Sequence, residues 1–177
     1  MFDVAFISDL HLGHTAIMKL RGFEYIDEYN EEIIKRINSV CGKKTLLFVL
    51  GDITMENKKY IPLLGRLNCR IVLVGGNHDE RSDFKLFSEY VESMSGCIEY
   101  KGFILTHIPI HAQEIDRFRG NIHGHLHEKT VKRRRYSPMK ITVTEEEDER
   151  YLNVSWDRLE GIPISLERVL EKFKKPI

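Results

Sequence analysis

The chain is poor in cysteine, with only Cys41, Cys69 and Cys97, and no two of them form a C-x-x-C pair. A cysteine-based zinc site is therefore not expected. Reduced thiols, mostly buried, in a cytoplasmic protein are expected instead of a disulfide framework. No apolar run approaches 18 residues, so no membrane-spanning helix is expected. The N-terminus lacks a basic segment leading into an apolar stretch and a small-residue cleavage site, so no signal peptide is expected. Charge of either sign is not in excess: 27 Lys and Arg balance 27 Asp and Glu. That balance excludes an overall electrostatic grip on nucleic acid and leaves only local patches open. Internal repeats, low-complexity segments and domain linkers are also missing.

What remains is ordinary globular material. The 177 residues are 42% hydrophobic and 31% charged, which suits one domain spanning 1–177. A chain of that length can bury roughly 70% of its unfolded surface and needs no covalent staples.

Periodicity gives an alternation of strands and helices in the first half. Phe2 to Ser8 reads as a short buried strand, followed by a loop from Asp9 to Thr15. Asn30 to Cys41 reads as a helix with Asn30 as N-cap and Gly42 as the stop. Thr45 to Leu50 and Arg70 to Val74 are continuous apolar runs, the pattern of strands buried on both faces. Helices are expected over 57–67, disturbed by Pro62, and from Ser82 to Ser93. Cys97 to Tyr100 and Phe103 to Thr106 suit a hairpin around Lys101 and Gly102. The second half turns strand-rich, over Thr130 to Thr144 and Arg150 to Asp157, with an exposed acidic turn from Glu145 to Glu149 between them. Ser165 opens a last helix.

Polar donors cluster at the ends of these strands. Asp9 and His11 follow the first, Gly51 and Asp52 the second, and Gly76, Asn77, His78 and Asp79 the third. His107 follows the hairpin, and His123, His125 and His127 alternate in one turn. Residues two apart in an extended segment point to one side, so Asp9 and His11 can grip one ion. Asp, Asn and His form a donor set for borderline or hard first-row metals, not for thiolate chemistry. Seven well-placed donors exceed the four of a structural zinc site. Asp52, at the mouth of a buried strand, is the carboxylate suited to bridging two ions. Ordinarily a histidine is a surface or core residue, but donors that terminate successive buried strands are not scattered.

The ordered blocks Asp9-Leu10-His11, Gly51-Asp52, Gly76-Asn77-His78-Asp79, His107 and Gly124-His125-Leu126-His127 resemble the calcineurin-like metallophosphoesterase superfamily. The stretch Ser8 to His14 and the later Asn153-Val154 look closest to its small bacterial, archaeal and phage members. The resemblance implies an α+β fold with four α/β/β/α layers, a β-sandwich of two mixed sheets flanked by helices. It implies two divalent ions, manganese foremost, with iron, zinc or nickel as alternatives. Asp9, His11 and His127 would hold the first ion, Asn77, His107 and His125 the second, and Asp52 would bridge. His78 would face the substrate phosphate, with Asp79 orienting it, while a metal-bound hydroxide attacks a phosphodiester or phosphomonoester. His14 and His123 could line the pocket or orient a ligand; His111 reads more readily as a local hydrogen-bonding residue.

The substrate is less legible. Lys129, Lys132, Arg133, Arg134 and Arg135 form a basic run just after the metal-binding turn. It reads most simply as a solvated arm paired with the acidic run 145–149. The sharper reading gives Arg133 and Arg134 to a phosphate-rich substrate. No arginine follows Gly51-Asp52 as in the protein Ser/Thr phosphatases of the superfamily, and the chain is short for that class. A small-molecule or nucleotide phosphoesterase is therefore expected, with a nuclease acting on nucleic-acid ends as first alternative. A non-catalytic scaffold of this fold, like the retromer subunit with degenerate ligands, is the alternative from a different class. All seven ligand positions are intact here, which argues for an enzyme. Monomer and homodimer are both compatible with the exposed strands of 130–157.

Overall fold

Short apolar strands that alternate with helices must stack as parallel neighbours. In the computed structural model of the protein, which describes residues 1–55, 58–137 and 140–174 (without the side chains of 134–137, 140, 141 and 143), they do so. Strands β1 (Val4–Ile7), β2 (Leu46–Val49), β3 (Arg70–Val74) and β4 (Ser93–Ser95) run parallel in one sheet. A short strand, β11 (Ile164–Ser165), closes its other edge antiparallel to β1. The second sheet has the order β10 (Tyr151–Asn153), β7 (Gly120–His123), β6 (Phe103–Thr106), β5 (Cys97–Tyr100), with only the β5–β6 pair antiparallel. Both sheets are mixed, as the sequence implied.

Alternation of side chains sorts the apolar residues into two cores. Phe6, Phe48, Leu50, Val72 and Val74 of the first sheet meet Phe103, Leu105, Ile122, Leu152 and Val154 from the second. The opposite face of the first sheet, Ala5, Ile7, Leu47, Val49, Ile71 and Leu73, is covered by Tyr29, Ile33 and Ile37 of helix α2 (Ile26–Val40) and by Ile61 and Leu64. Beside β7 the second sheet is flanked by a 3-10 helix, Ala112–Arg117.

Several local expectations are corrected. Helix α1 (Thr15–Leu20) occupies residues beyond the expected loop. Helix α2 begins four residues earlier than expected, after Tyr25, and Asn30 is a buried residue inside it. The Asn30 Oδ1 accepts from the Gly13 amide at 3.0 Å, so it braces the loop after β1 rather than a helix end. The segment around Pro62 is a 3-10 helix, Lys58–Arg66. The expected helix from Ser82 to Ser93 is a 3-10 turn, Arg81–Asp83, and a single α turn, α3 (Phe84–Phe87), and Ser93 joins β4 instead. The Lys101-Gly102 hairpin forms as expected, with φ of 52° and 81° at the two turn residues. Ser165 caps the last helix, α4 (Leu166–Lys172), by accepting from the Arg168 amide at 3.3 Å.

The charged arms form their own antiparallel pair, β8 (Lys132–Ser137) and β9 (Lys140–Glu147). Lys132 stands opposite Glu147, so the acidic residues 145–147 are strand, not turn, and Asp148 is buried against Arg150. Of the three free cysteines only Cys41 is buried; Cys97 is exposed.

Candidate metal centre

Three of the five blocks of donors sit on a backbone that ordinary residues avoid. Asp9, His11, Asp52, His125 and His127 have φ of 58°, 48°, 54°, 68° and 51°. Left-handed conformations of this kind cost about 1 kcal/mol or more each for residues with a Cβ and persist only where surrounding bonds impose them. Here the bonds run between blocks. The loop after β1 lies along the loop after β2, with Asp9 N donating to Gly51 O at 3.0 Å and His11 N to Asp52 O at 3.0 Å. The Asp9 carboxylate accepts from the His125 amide at 3.0 Å, and Asp52 Oδ1 accepts from the His78 amide at 3.0 Å.

The glycines make this proximity possible. A Cβ on Gly76 would lie 2.2 Å from Asp52 Oδ1, and one on Gly124 would lie 2.3 Å from Ser8 Oγ.

Two groups of donors result. Ligating atoms of Asp9, His11 and His127 lie within 4.8 Å of one another, and so do those of Asp52, His107 and His125. Asn77 joins the second group through its Oδ1, 2.9 Å from His107 Nε2. His107 Nδ1–H donates to Leu50 O at 2.8 Å, which leaves Nε2 to face Asn77 and Asp52 Oδ2, the latter at 3.3 Å. His127 Nδ1–H donates to Asp157 at 2.8 Å, which likewise turns Nε2 toward the first group.

Residues 2–156 match the calcineurin-like phosphoesterase family. The chain belongs to that family. It is 30% identical to an uncharacterized protein of Methanocaldococcus jannaschii over 99% of this chain and 93% of that one. It is 34% identical over 44% of its length to a Coxiella burnetii protein named a probable cyclic nucleotide phosphodiesterase, of which it covers 32%. Among solved structures, a protein of unknown function from Aquifex aeolicus matches with a TM-score of 0.66 at 25% identity, over 96% of this chain and 97% of the other.

The residues of this calcineurin-like phosphoesterase fit divalent ions on chemical grounds. Both ring nitrogens of the buried His11 lack a hydrogen-bond partner, a costly state that a cation on Nε2 relieves. Its Nε2 lies 3.9 Å from Asp9 Oδ1 and 3.9 Å from Asp52 Oδ2. Burial holds its pKa down at about 4, against the pull of Asp52 and Asp9, so the ring is a neutral donor near pH 7. Burial alone would raise Asp52, but His107 beside it, the His78 amide and the charge attraction of His11 together outweigh that and keep the carboxyl below its usual range.

Other expected site residues fall as follows. His78 is half-buried, its ring centroid 6.0 Å from that of His11. Asp79 is buried, and its carboxylate accepts from the amides of Asp52, Ile53 and Gly76 at 2.9, 3.0 and 2.8 Å. Those bonds tie the second and third blocks together; none of those described goes to His78. His14 caps α1, accepting from the Ala16 amide at 3.1 Å, with its ring 5.9 Å from His11. His123 is fully buried, donating Nδ1–H to Gly124 O at 2.8 Å, and stands outside both donor groups. His111 caps the 3-10 helix Ala112–Arg117 and is exposed. Arg133 pairs with Glu146 and Glu149, each at 3.8 Å, while the Arg134 side chain lies outside the described set.

Sequence reasoning missed Asp157, the carboxylate behind His127. A signal for it existed, since Asp157 ends a strand-like run just as the recognised donors do. Arg21, which pairs with Asp157, carried no such signal.

Proposed function

We propose that the protein is a dinuclear-metal phosphoesterase acting on a small-molecule or nucleotide phosphodiester or phosphomonoester. Asp9, His11 and His127 would hold one ion, Asn77, His107 and His125 the other, with Asp52 shared between them. The observation that carries this reading is the position of one atom. Asp52 Oδ2 lies 3.3 Å from His107 Nε2 and 3.9 Å from His11 Nε2, so one carboxylate oxygen reaches into both donor groups.

Divalent ions bound there supply Lewis acidity, which makes water a usable nucleophile near neutral pH and offsets charge on phosphate oxygens. The chain does the rest. Two hydrogen bonds from the Asp52 and Ile53 amides to Asp79 fix the loop that carries Asp52, so its carboxylate is held before substrate arrives. His78 is anchored through its amide to Asp52 and leaves its ring at the mouth of the cluster. From there it can donate to a phosphate oxygen or to the leaving oxygen. Exposed Asn77 and half-exposed His125 and His127 leave the outer side of the cluster open to an extended substrate.

The likeness to a named cyclic nucleotide phosphodiesterase supports placing cyclic nucleotides first in a substrate panel. The test uses the full chain loaded with manganese, its metal content measured, against a nitrophenyl phosphodiester, cyclic nucleotides, phosphomonoesters and oligonucleotides. Two equivalents of metal with turnover of a diester or monoester are expected. Two equivalents of metal with no turnover across the panel would mean a binding scaffold and overturn the enzyme reading.

A further inference from the structure

We propose that Arg21 and Asp157 form a positioning pair that assembles the first metal half-site, deepening the two-metal reading on which this inference rests. Arg21 is the residue that ends α1, so the helix carries the chain back beneath the loop it has just left. All five guanidinium N–H donors are engaged. Nε donates to Asp157 Oδ1 at 2.9 Å, and Nη2 donates to Asp157 Oδ2 at 2.8 Å and to Asp9 O at 2.8 Å. Nη1 donates to Leu10 O at 3.2 Å and to the Tyr29 hydroxyl, which itself donates to Leu10 O at 2.7 Å. The fork also lies over the Tyr29 and Trp156 rings, at 5.8 and 5.5 Å from their centroids.

These bonds reach both sides of the half-site. The carbonyls of Asp9 and Leu10 belong to the turn whose Asp9 and His11 adopt positive φ, so the guanidinium clamps a backbone that would otherwise relax. On the other side, Asp157 Oδ2 accepts from His127 Nδ1–H at 2.8 Å, which fixes the tautomer and leaves the Nε2 lone pair toward Asp9 and His11. One planar group thus sets two ligands that are 118 positions apart in sequence, 9 and 127. The Arg21 and Asp157 side chains are only 6% and 15% exposed. A buried ion pair of this kind brings little net stability over apolar packing, so geometry is the gain it offers. A lysine could not replace the fork, because it lacks the planar arrangement of donors.

The pair is tested by two readouts that need no turnover. In the metal-free protein, nitrogen NMR of His127 should show the Nδ1–H tautomer. An Nε2–H tautomer in the wild type would overturn the proposal outright. Calorimetric titration with manganese should then show Asp157→Ala weakening one of two sites roughly 10- to 100-fold while the other is unchanged. Asp157→Asn, which keeps an acceptor oxygen, should restore the tautomer, and Arg21→Lys should weaken the same single site. The unaffected second site serves as the internal check on folding. Equal weakening of both sites, or Asp157→Ala titrating like wild type, would overturn the positioning role. Failure of the two-metal reading is distinguishable: the wild type would then take up fewer than two ions, while the tautomer readout would still decide the pair.

Discussion

The two halves of the centre are built from different materials. The second half, Asp52, Asn77, His107 and His125, is held by main chain just beyond neighbouring strands: Leu50 O, after β2, holds His107 and the His78 amide, after β3, holds Asp52. The first half, Asp9, His11 and His127, leans on a buried ion pair between residues far apart in sequence, Arg21 and Asp157. Among the described residues, both ring nitrogens of His107 have a polar atom within 3 Å and those of His11 have no hydrogen-bond partner. A half-site supported by strand backbone comes with the fold, whereas one supported by side chains must be specified separately. The same contrast explains which supports a motif can disclose. Those of the second half lie within or directly beside the motif blocks, whereas Arg21 and Asp157 lie outside every one.

The change expected to erase the contrast altogether is at the shared ligand. Asp52→Ala removes a carboxylate that reaches both groups, so turnover of a nitrophenyl phosphodiester should fall by roughly a thousandfold or more, about 4 kcal/mol in the barrier. Metal content should drop below two equivalents in the same preparation. A variant that retains both ions and most of its kcat/KM would show that the halves work without a bridge.

His78 belongs to neither half, and its removal should separate metal retention from catalysis. In His78→Ala both manganese ions should remain while kcat falls roughly 10²- to 10³-fold. Wild-type turnover in that variant would remove His78 from the mechanism. The hydrogen bonds of Asp79 predict a different outcome for Asp79→Ala: metal affinity at the Asp52 side should suffer, because the carboxylate anchors the amides of Asp52 and Ile53.

Acid should sharpen the comparison in the metal-free protein. Burial holds both His11 and His123 at about 4, against about 6.5 for an unfolded histidine. The folded value is the lower one, so between about 6.5 and about 4 the unfolded chain binds more protons. The stability that each neutral ring contributes is fully present above 6.5 and is lost as pH falls toward 4. His127 and His107 pull the other way, since Asp157 and Asp52 raise them. Differences between variants isolate one residue: His123→Gln should lose on the order of 2–3 kcal/mol less than wild type between pH 7 and pH 4 in urea melts. Manganese should alter the acid response that His11 carries and leave the His123 difference in place. Parallel stability curves for wild type and His123→Gln would show that His123 is not the buried neutral group described.

Much of this was legible in the residues themselves. Donors ending buried apolar runs were readable because a strand buried on both faces permits few polar residues, and those it has stand at its mouth. The gathering of Asp9, His11 and His127 and of Asp52, His107 and His125 into two donor groups followed from that, while the Lys101-Gly102 hairpin followed from its turn residues. Elements without a strong period were not readable. Helix α1 is only six residues long and is capped by His14, a residue that weak capping preferences do not single out. The stretch after Phe87 looked helical because Tyr90 and Val91 keep helical spacing, yet Ser93–Ser95 gains more by extending the first sheet. Asn30 looked like a helix cap because such residues usually are, but its amide oxygen serves the Gly13 backbone. Asp148 hid within an acidic run, and only its bonds to Arg150 separate it from exposed neighbours.

The smallest effect is expected where the sequence looked most suggestive. The basic arm following His127 faces the acidic arm across β8 and β9, with Lys132 opposite Glu147 and Arg133 shared between Glu146 and Glu149 at 3.8 Å each. Pairs at that distance with 44% of the arginine side chain exposed are weak, each worth a few tenths of a kcal/mol at most. Their charges are nevertheless locally balanced, which leaves little field to attract a polyanion. Reversing Arg133 and Arg134 together to glutamate should therefore change KM for a nucleotide or an oligonucleotide less than about twofold at physiological salt. A tenfold rise in KM, steepest for oligonucleotides and at low salt, would instead make the arm a phosphate-binding extension of the site. The first half-site, whose His127 immediately precedes the arm, would then be the one through which substrate is recognised.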